Sequence, residues 1–287
     1  MRALDGILVW TVNGVILKIK TTRNFWATFF WNNPEKKVKI IFRNGCRAEL
    51  DSPEYQRVID LLSKGYTVES LGKLLCFKKG NVKITGPLSL LGILKEGLDE
   101  IYSVDCKNKT VLDIGGYIGD SAVYFSAMGA AKVIIYEPVV AHHEFIKINM
   151  ALNDVNAELH EEGIGENDGY TLVNYDIINS GFGLTNKGAK KMLIKIKSIK
   201  RIIEESGASI AKLDCEGAES SLVNVPPEVL QTIDFYMIEI HTLEMKSILM
   251  NKFRASGFDV VKDIPTGVDD HTSTVYFKRK QEDLQAS

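Results

Sequence analysis

Side chains able to do chemistry gather in two parts of the 287-residue chain. In VLDIGGYIGDSAVYFSAMGAAKVIIYEP, from Val111 to Pro138, Asp113 precedes Gly115, Gly116, Tyr117 and Gly119, Asp120 comes next, and Glu137 and Pro138 close the stretch. Further on, SIAKLDCEGAES carries Asp214 and Glu216, and IDFYMIEIH carries Glu239 and His241. A glycine turn flanked by two carboxylates suits a cation. It would repel the pyrophosphate of a dinucleotide, whereas S-adenosylmethionine (SAM) has no phosphate and carries an ammonium and a sulfonium. Glu137, at a strand end, is placed to accept hydrogen bonds from both ribose hydroxyls. SAM is therefore favoured over a nicotinamide dinucleotide.

The second group has the residue types for moving a proton. Asp214 is the first candidate for a catalytic or substrate-orienting carboxylate, because it interrupts an apolar strand and a buried charge needs a partner. His241 is the candidate general base, with Glu239 fixing its tautomer or binding substrate; the two alternate along one strand and so share a face. Glu216 and Glu219 equally suit the N-terminus of a following helix. His142 and His143 open a helix near Glu137 and are expected at the surface or beside an adenine. Asp214, Glu239 and His241 also have the donor types for a divalent metal, but nothing in their spacing requires one, so no metal ligand is assigned.

The elements that must position these groups read as alternating strands and helices. Val111 to Ile114 is a short apolar run followed by the glycine turn, a helix from about Asp120 to Met128, a stop at Gly129 and a second strand, Val133 to Tyr136. AHHEFIKINMALNDV is a helix expected to pack through Phe145, Ile148 and Leu152. AELHEEGIG reads as a third strand whose exit, with Gly163 and Ile164, would lie beside the adenine. Residues 170–197 are extended around a loop, Asn179 to Lys191, that is a candidate lid. IKSIKRIIEESG is a helix, SIAKLD a fourth strand and IDFYMIEIH a fifth. GFDVVKDI and STVYFKRK then form an antiparallel pair across PTGVDDHT. The expected architecture is α/β: a doubly wound, mostly parallel sheet closed by an antiparallel C-terminal hairpin.

Ahead of it, residues 1–97 read as a small α+β module, and 281–287 as a loose tail. GILVWTVNGVILKIK and KVKIIFRNGCRAEL are expected hairpins at Asn13-Gly14 and Asn44-Gly45, Pro53 to Lys64 is a short amphipathic helix, and KLLCFKKGNVKIT turns at Gly80-Asn81. The aromatic run FWATFFW, near Trp10, is expected in the core or facing a partner.

The chain carries 35 Lys+Arg against 37 Asp+Glu, but the balance is uneven: 18 against 11 through Thr110, and 17 against 26 after it. A basic module on an acidic domain is compatible with RNA or another anionic partner, or is simply a solvated face. Cys46, Cys76, Cys106 and Cys215 are scattered without a CxxC pair, so neither a disulfide framework nor a zinc knuckle is suggested and a cytoplasmic protein is expected. No signal peptide or membrane-spanning apolar run is evident, and no membrane role is expected.

VLDIGGYIGD, IIYEP, FIKINMALN and above all IAKLDCEGAES followed by YMIEIH resemble the FkbM-type SAM-dependent methyltransferases, in the family's order and over most of the chain from about Leu98. The resemblance implies a seven-stranded class I methyltransferase domain over residues 98–280, with the turn from Asp113 to Asp120 and Glu137 holding SAM. It further implies O-methylation of a hydroxyl, often on a sugar or small metabolite. Where the family has Ala-Asn after the first glycine, this chain has Gly116 and Tyr117, which puts Tyr117 at the methionine end of the pocket. Two alternatives stay open. One is a tRNA base methyltransferase, against which LDCEGAES stands where an Asn-Pro-Pro tetrapeptide is needed; the other is a SAM- or nucleotide-binding module without turnover.

Overall fold

The computed structural model describes residues 15–28, 35–175, 190–266 and 271–281. The chain divides into two compact units, Met1–Gly97 and Leu98–Ser287.

In the first unit, helix α1 spans residues 15–21 and a 3₁₀ turn spans Phe25–Thr28. The expected second strand of an N-terminal hairpin is therefore a helix. Val15, Ile16 and Ile19 have helical spacing, and the Thr21 hydroxyl donates one turn back to the Leu17 carbonyl at 2.7 Å. The Asn13-Gly14 turn, Trp10 and residues 29–34 of the aromatic run lie outside the described residues. Within that run Phe25 is buried, whereas Trp26 is 64% exposed.

Strands β1 (Val38–Ile41) and β2 (Arg47–Leu50) pair antiparallel around Asn44-Gly45, with Gly45 at φ +94. Helix α2 (Ser52–Ser63) follows, started by a reciprocal cap: the Asp51 carboxylate accepts from the Glu54 amide at 2.8 Å, and the Glu54 carboxylate accepts from the Asp51 amide at 3.0 Å. Its inner stripe is Tyr55, Val58, Ile59 and Leu61. Strands β3 (Thr67–Leu71), β4 (Leu74–Lys79) and β5 (Val82–Gly86) complete the unit as an antiparallel sheet that turns at Gly80-Asn81.

The second unit begins with α3 (Leu98–Ile101) and is built on seven strands: β6 (Thr110–Ile114), β7 (Lys132–Tyr136), β8 (Ala157–His160), β12 (Ile210–Leu213), β13 (Phe235–Ile240), β14 (Phe258–Pro265) and β15 (Ser273–Arg279). Their order is β14-β15-β13-β12-β6-β7-β8. All neighbours are parallel except β15, which runs antiparallel to both β13 and β14. This is the expected α/β sheet with its antiparallel C-terminal hairpin. Helices α4 (Asp120–Ala127), α5 (Val140–Leu152), α6 (Ile199–Ser206), α7 (Pro227–Leu230) and α8 (Leu243–Ala255) connect the strands. Leu112, Leu213, Tyr236, Ile238, Phe253 and Phe277 belong to the core between sheet and helices.

Three local readings differ. AELHEEGIG breaks in two: β8 joins the main sheet, while β9 (Gly163–Gly165) pairs parallel to β11 (Lys190–Ser198), which itself pairs antiparallel to β10 (Gly169–Tyr175). Because β11 extends to Ser198, α6 starts at Ile199 rather than within IKS. The stripe that α5 buries fully is His142, His143, Ile146 and Asn149, with Phe145, Ile148 and Leu152 only half-buried. Polar residues displaced the apolar ones because they carry bonds that the turn beneath them requires: Asn149 donates to the Ile118 carbonyl at 2.8 Å. Residues 176–189 of the candidate lid lie outside the described residues.

Replacing Asp51 by alanine removes one half of the α2 cap and leaves the Glu54 amide unbonded. A loss of about 1 kcal/mol is expected, read as a lower urea midpoint with an unchanged slope.

Candidate functional site

The parallel run β7-β6-β12 sets the site. From β6 the chain proceeds to β7 and β8 on one side, then returns to β12 and β13 on the other, so the crevice beyond β6 and β12 is the switch point of the sheet. The glycine turn leaves β6 there, and the acidic turn leaves β12 beside it.

Glycines at this point are demanded by the protein's own chain. A Cβ on Gly115 would stand 1.7 Å from the Asp214 carbonyl oxygen, and Gly115 has φ +77. A Cβ on Gly116 would meet Ile135 Cγ2 at 2.3 Å, and one on Gly119, at φ +84, would meet Met150 Cε at 2.8 Å. The turn is thus pressed against β12 on one side and α5 on another.

Beneath the turn lies a lysine that pattern reading passed over as part of an apolar strand. Lys212 is buried in β12; its ammonium donates to the Gly115 carbonyl at 2.6 Å and lies 3.2 Å from the Asp113 carboxylate. Asp113, fully buried, also accepts from the Ser121 hydroxyl at 2.6 Å. Burial works against the lysine's charge, but Asp113, Asp214 and Asp120 more than offset it and hold its pKa above the ordinary lysine range. Burial pushes Asp113 up while Lys212 and Ser121 pull it down. With an ammonium and a hydroxyl both addressing it, we take the pair as ionised. Asp120, also buried, is raised to about 7, first by burial and then by Asp113 and Asp214, against the pull of Lys212.

Glu137 closes the other side of the turn. Its carboxylate accepts from the Tyr117 amide at 2.8 Å and from the Val139 amide at 2.9 Å, and is nearly fully buried. Two of its lone pairs therefore hold the chain, and Tyr117, at φ +47, is fixed in left-handed backbone. His142 and His143 are buried here rather than exposed. His142 sits edge-on to the Tyr117 ring at 4.8 Å and 3.4 Å from Glu137, and the His143 ring bonds the Glu137 carbonyl at 2.7 Å. Gly163 and Ile164 are brought alongside, since a Cβ on Gly163 would lie 3.5 Å from Pro138 Cβ.

Across the crevice the acids converge on His241. Asp214 follows β12, Glu216 sits at φ +54, and Glu239 and His241 stand at the end of β13. The residue that orients the imidazole is Glu219, not Glu239: Glu219 Oε1 lies 3.2 Å from Nδ1. Glu219 is buried, and its other oxygen accepts from the Gly217 amide at 2.8 Å, so it also serves the start of the 3₁₀ helix Ala218–Asn224. Glu239 accepts from the Thr266 hydroxyl at 2.7 Å and is 3.9 Å from His241 Nε2. His241 is raised to about 9 by its bond to Glu219 and the surrounding carboxylates, against burial. Burial, then Asp214, lifts Glu216 to about 7 and Glu239 to about 8. Tyr102 is a further buried neighbour, its phenol raised by burial and by Asp120, Asp214, Asp113 and Glu239. The arrangement thus presents a turn rich in backbone polar groups on one side and a cluster of carboxyl groups around one imidazole on the other.

No family model and no curated protein matches the chain. Solved structures are similar only remotely. A SAM-dependent methyltransferase candidate from Streptococcus mutans aligns at 8% identity over 81% of this chain and 58% of its own, with a TM-score of 0.48. A transferase candidate from Pyrococcus horikoshii aligns at 11% identity over 86% of this chain and 92% of its own, with a TM-score of 0.47. A ribosomal protein L11 methylase from Lactobacillus delbrueckii subsp. bulgaricus aligns at 15% identity over 68% and 81%, with a TM-score of 0.39. No helix among the described residues is long and apolar enough to cross a membrane.

Lys212→Met strands Asp113 in the interior, and a loss of about 3–5 kcal/mol is expected in chemical denaturation. Asp120 gives a pH signature. Its folded pKa lies above its unfolded one, so the native chain holds the extra proton and loses stability as pH rises from about 4 to about 7. Relative to Asp120→Asn, the parent's Tm should therefore fall by several degrees across that window and run parallel above it; a gap that does not change with pH contradicts the assignment.

Proposed function

We propose that the chain is a SAM-dependent methyltransferase of the FkbM type that methylates a hydroxyl of a sugar or small metabolite. The observation that carries this reading is the contact of the two acid-bearing turns: Gly115 packs against the Asp214 carbonyl, so a ligand on the glycine turn has its reactive end against Asp214, Glu239 and His241.

On this reading the turn from Asp113 to Asp120 holds the methionine end, with Gly115, Gly116 and Tyr117 closest. Glu137 and Pro138 face the ribose, and Gly163 and Ile164 the adenine. Glu137 has lone pairs beyond the two spent on Tyr117 and Val139. Bound SAM supplies an activated methyl carbon. What remains for the protein is to align the acceptor oxygen behind that carbon and to receive its proton. Asp214 orients the acceptor, while His241 and Glu239, raised to about 9 and about 8, receive its proton once alkaline pH has deprotonated them. This mouth is lined by carboxyl groups rather than by the lysines and arginines that hold a phosphate backbone, which favours a small hydroxyl acceptor over RNA.

Isothermal titration of the whole chain with SAM and S-adenosylhomocysteine tests the reading. Both should bind with micromolar Kd, and Glu137→Gln should weaken binding by about tenfold. Absence of binding by either ligand contradicts it.

A further inference from the structure

We propose that Asp214, Glu216 and His241 form a binding site for a divalent first-row transition ion. Each offers one ligand atom, and these atoms lie within 4.8 Å of one another. His241 Nε2 and Glu216 Oε2 are 3.4 Å apart. Two ligands each about 2.1 Å from one ion stand about 3.4 Å apart in a tetrahedron, so this pair already has the spacing of two ligands on one ion.

The imidazole is prepared for that role. Its Nδ1 is held by Glu219, which is 2% exposed and is itself fixed by the Gly217 amide, so Nε2 is the nitrogen turned towards Glu216 and Glu239. A carboxylate behind a histidine fixes ring orientation and strengthens the other nitrogen as a ligand. The ligating groups are only half-buried, leaving access for an ion and for water to complete its coordination. The carboxyl groups of Glu216, Glu219 and Glu239 all approach the one imidazole, and Asp214 lies beside them, so oxygen donors surround the Nε2 side of the ring. One imidazole nitrogen with carboxylate oxygens suits manganese(II) or zinc(II) better than magnesium, which prefers an all-oxygen octahedron.

The site lies on the acceptor side of the crevice, where an ion would bind an acceptor oxygen and acidify it. Its location there rests on the methyltransferase reading, but ion binding itself requires neither SAM nor acceptor. The experiment is titration of the whole metal-stripped chain with manganese(II), followed by calorimetry and electron paramagnetic resonance. One ion per chain is expected, with nitrogen modulation of the manganese signal from His241. His241→Gln and Glu216→Gln should each weaken binding by at least about tenfold, and Glu219→Gln, which loosens the hold on Nδ1, should weaken it too. Thermal melting of the stripped variants shows whether they are folded, and the nitrogen modulation in the parent tests the site even where one is not. Absence of stoichiometric uptake, absence of nitrogen modulation, or affinity unchanged in folded His241→Gln and Glu216→Gln overturns the proposal. S-adenosylhomocysteine titrated into the same preparation keeps the two readings apart: loss of that binding alone contradicts the methyltransferase reading and leaves the ion site standing.

Discussion

The structure of the second unit depends on one buried ion pair. Lys212 reaches from the middle of β12 under the exit of β6, where it meets Asp113 and the carbonyl of Gly115. Buried pairs of this kind add little net stability, because removing both charges from water costs about as much as their attraction returns. What such a pair supplies is position. The ammonium, held between Asp113 and the Gly115 carbonyl, ties two neighbouring strand ends together, and that carbonyl points inward to meet it.

From that constraint the rest of the crevice follows. With Gly115 drawn down, its missing Cβ lets the Asp214 carbonyl pass at a distance no other residue allows, and the second acidic turn is held against the first. Glu137 then seals the far side by accepting the Tyr117 and Val139 amides, which a carboxylate does better than any neutral acceptor. The acid cluster around His241 is left at the open mouth, braced from behind by Glu219.

Most of the sheet was legible in the sequence because parallel strands buried on both faces are continuous apolar runs, and Val111–Ile114, Val133–Tyr136 and Phe235–Ile240 are such runs. The C-terminal hairpin was legible from its turn residues. What escaped reading had a tertiary cause in each case. Lys212 drew no attention within the strand SIAKLD, and only the neighbouring strand reveals that it meets Asp113. Glu219 looked like a helix cap, which it partly is, while its second role needs His241 brought back from 22 residues away. His142 and His143 looked like the polar face of α5, yet the turn that they cover is polar too, so the helix turns that face inward. Residues 15–21 showed β-branched residues beside Asn-Gly, a hairpin signature locally, and formed a helix instead.

If the ion-paired turn and the acid cluster form one crevice for a methyl donor, a crystal structure of the chain with S-adenosylhomocysteine will show it. Homocysteine is expected against Gly115 to Tyr117, ribose at Glu137, and the sulfur facing Asp214 and His241, with the Lys212–Asp113 contact intact beneath. Ligand found elsewhere on the chain, or in this crevice with the sulfur turned away from Asp214, would contradict it.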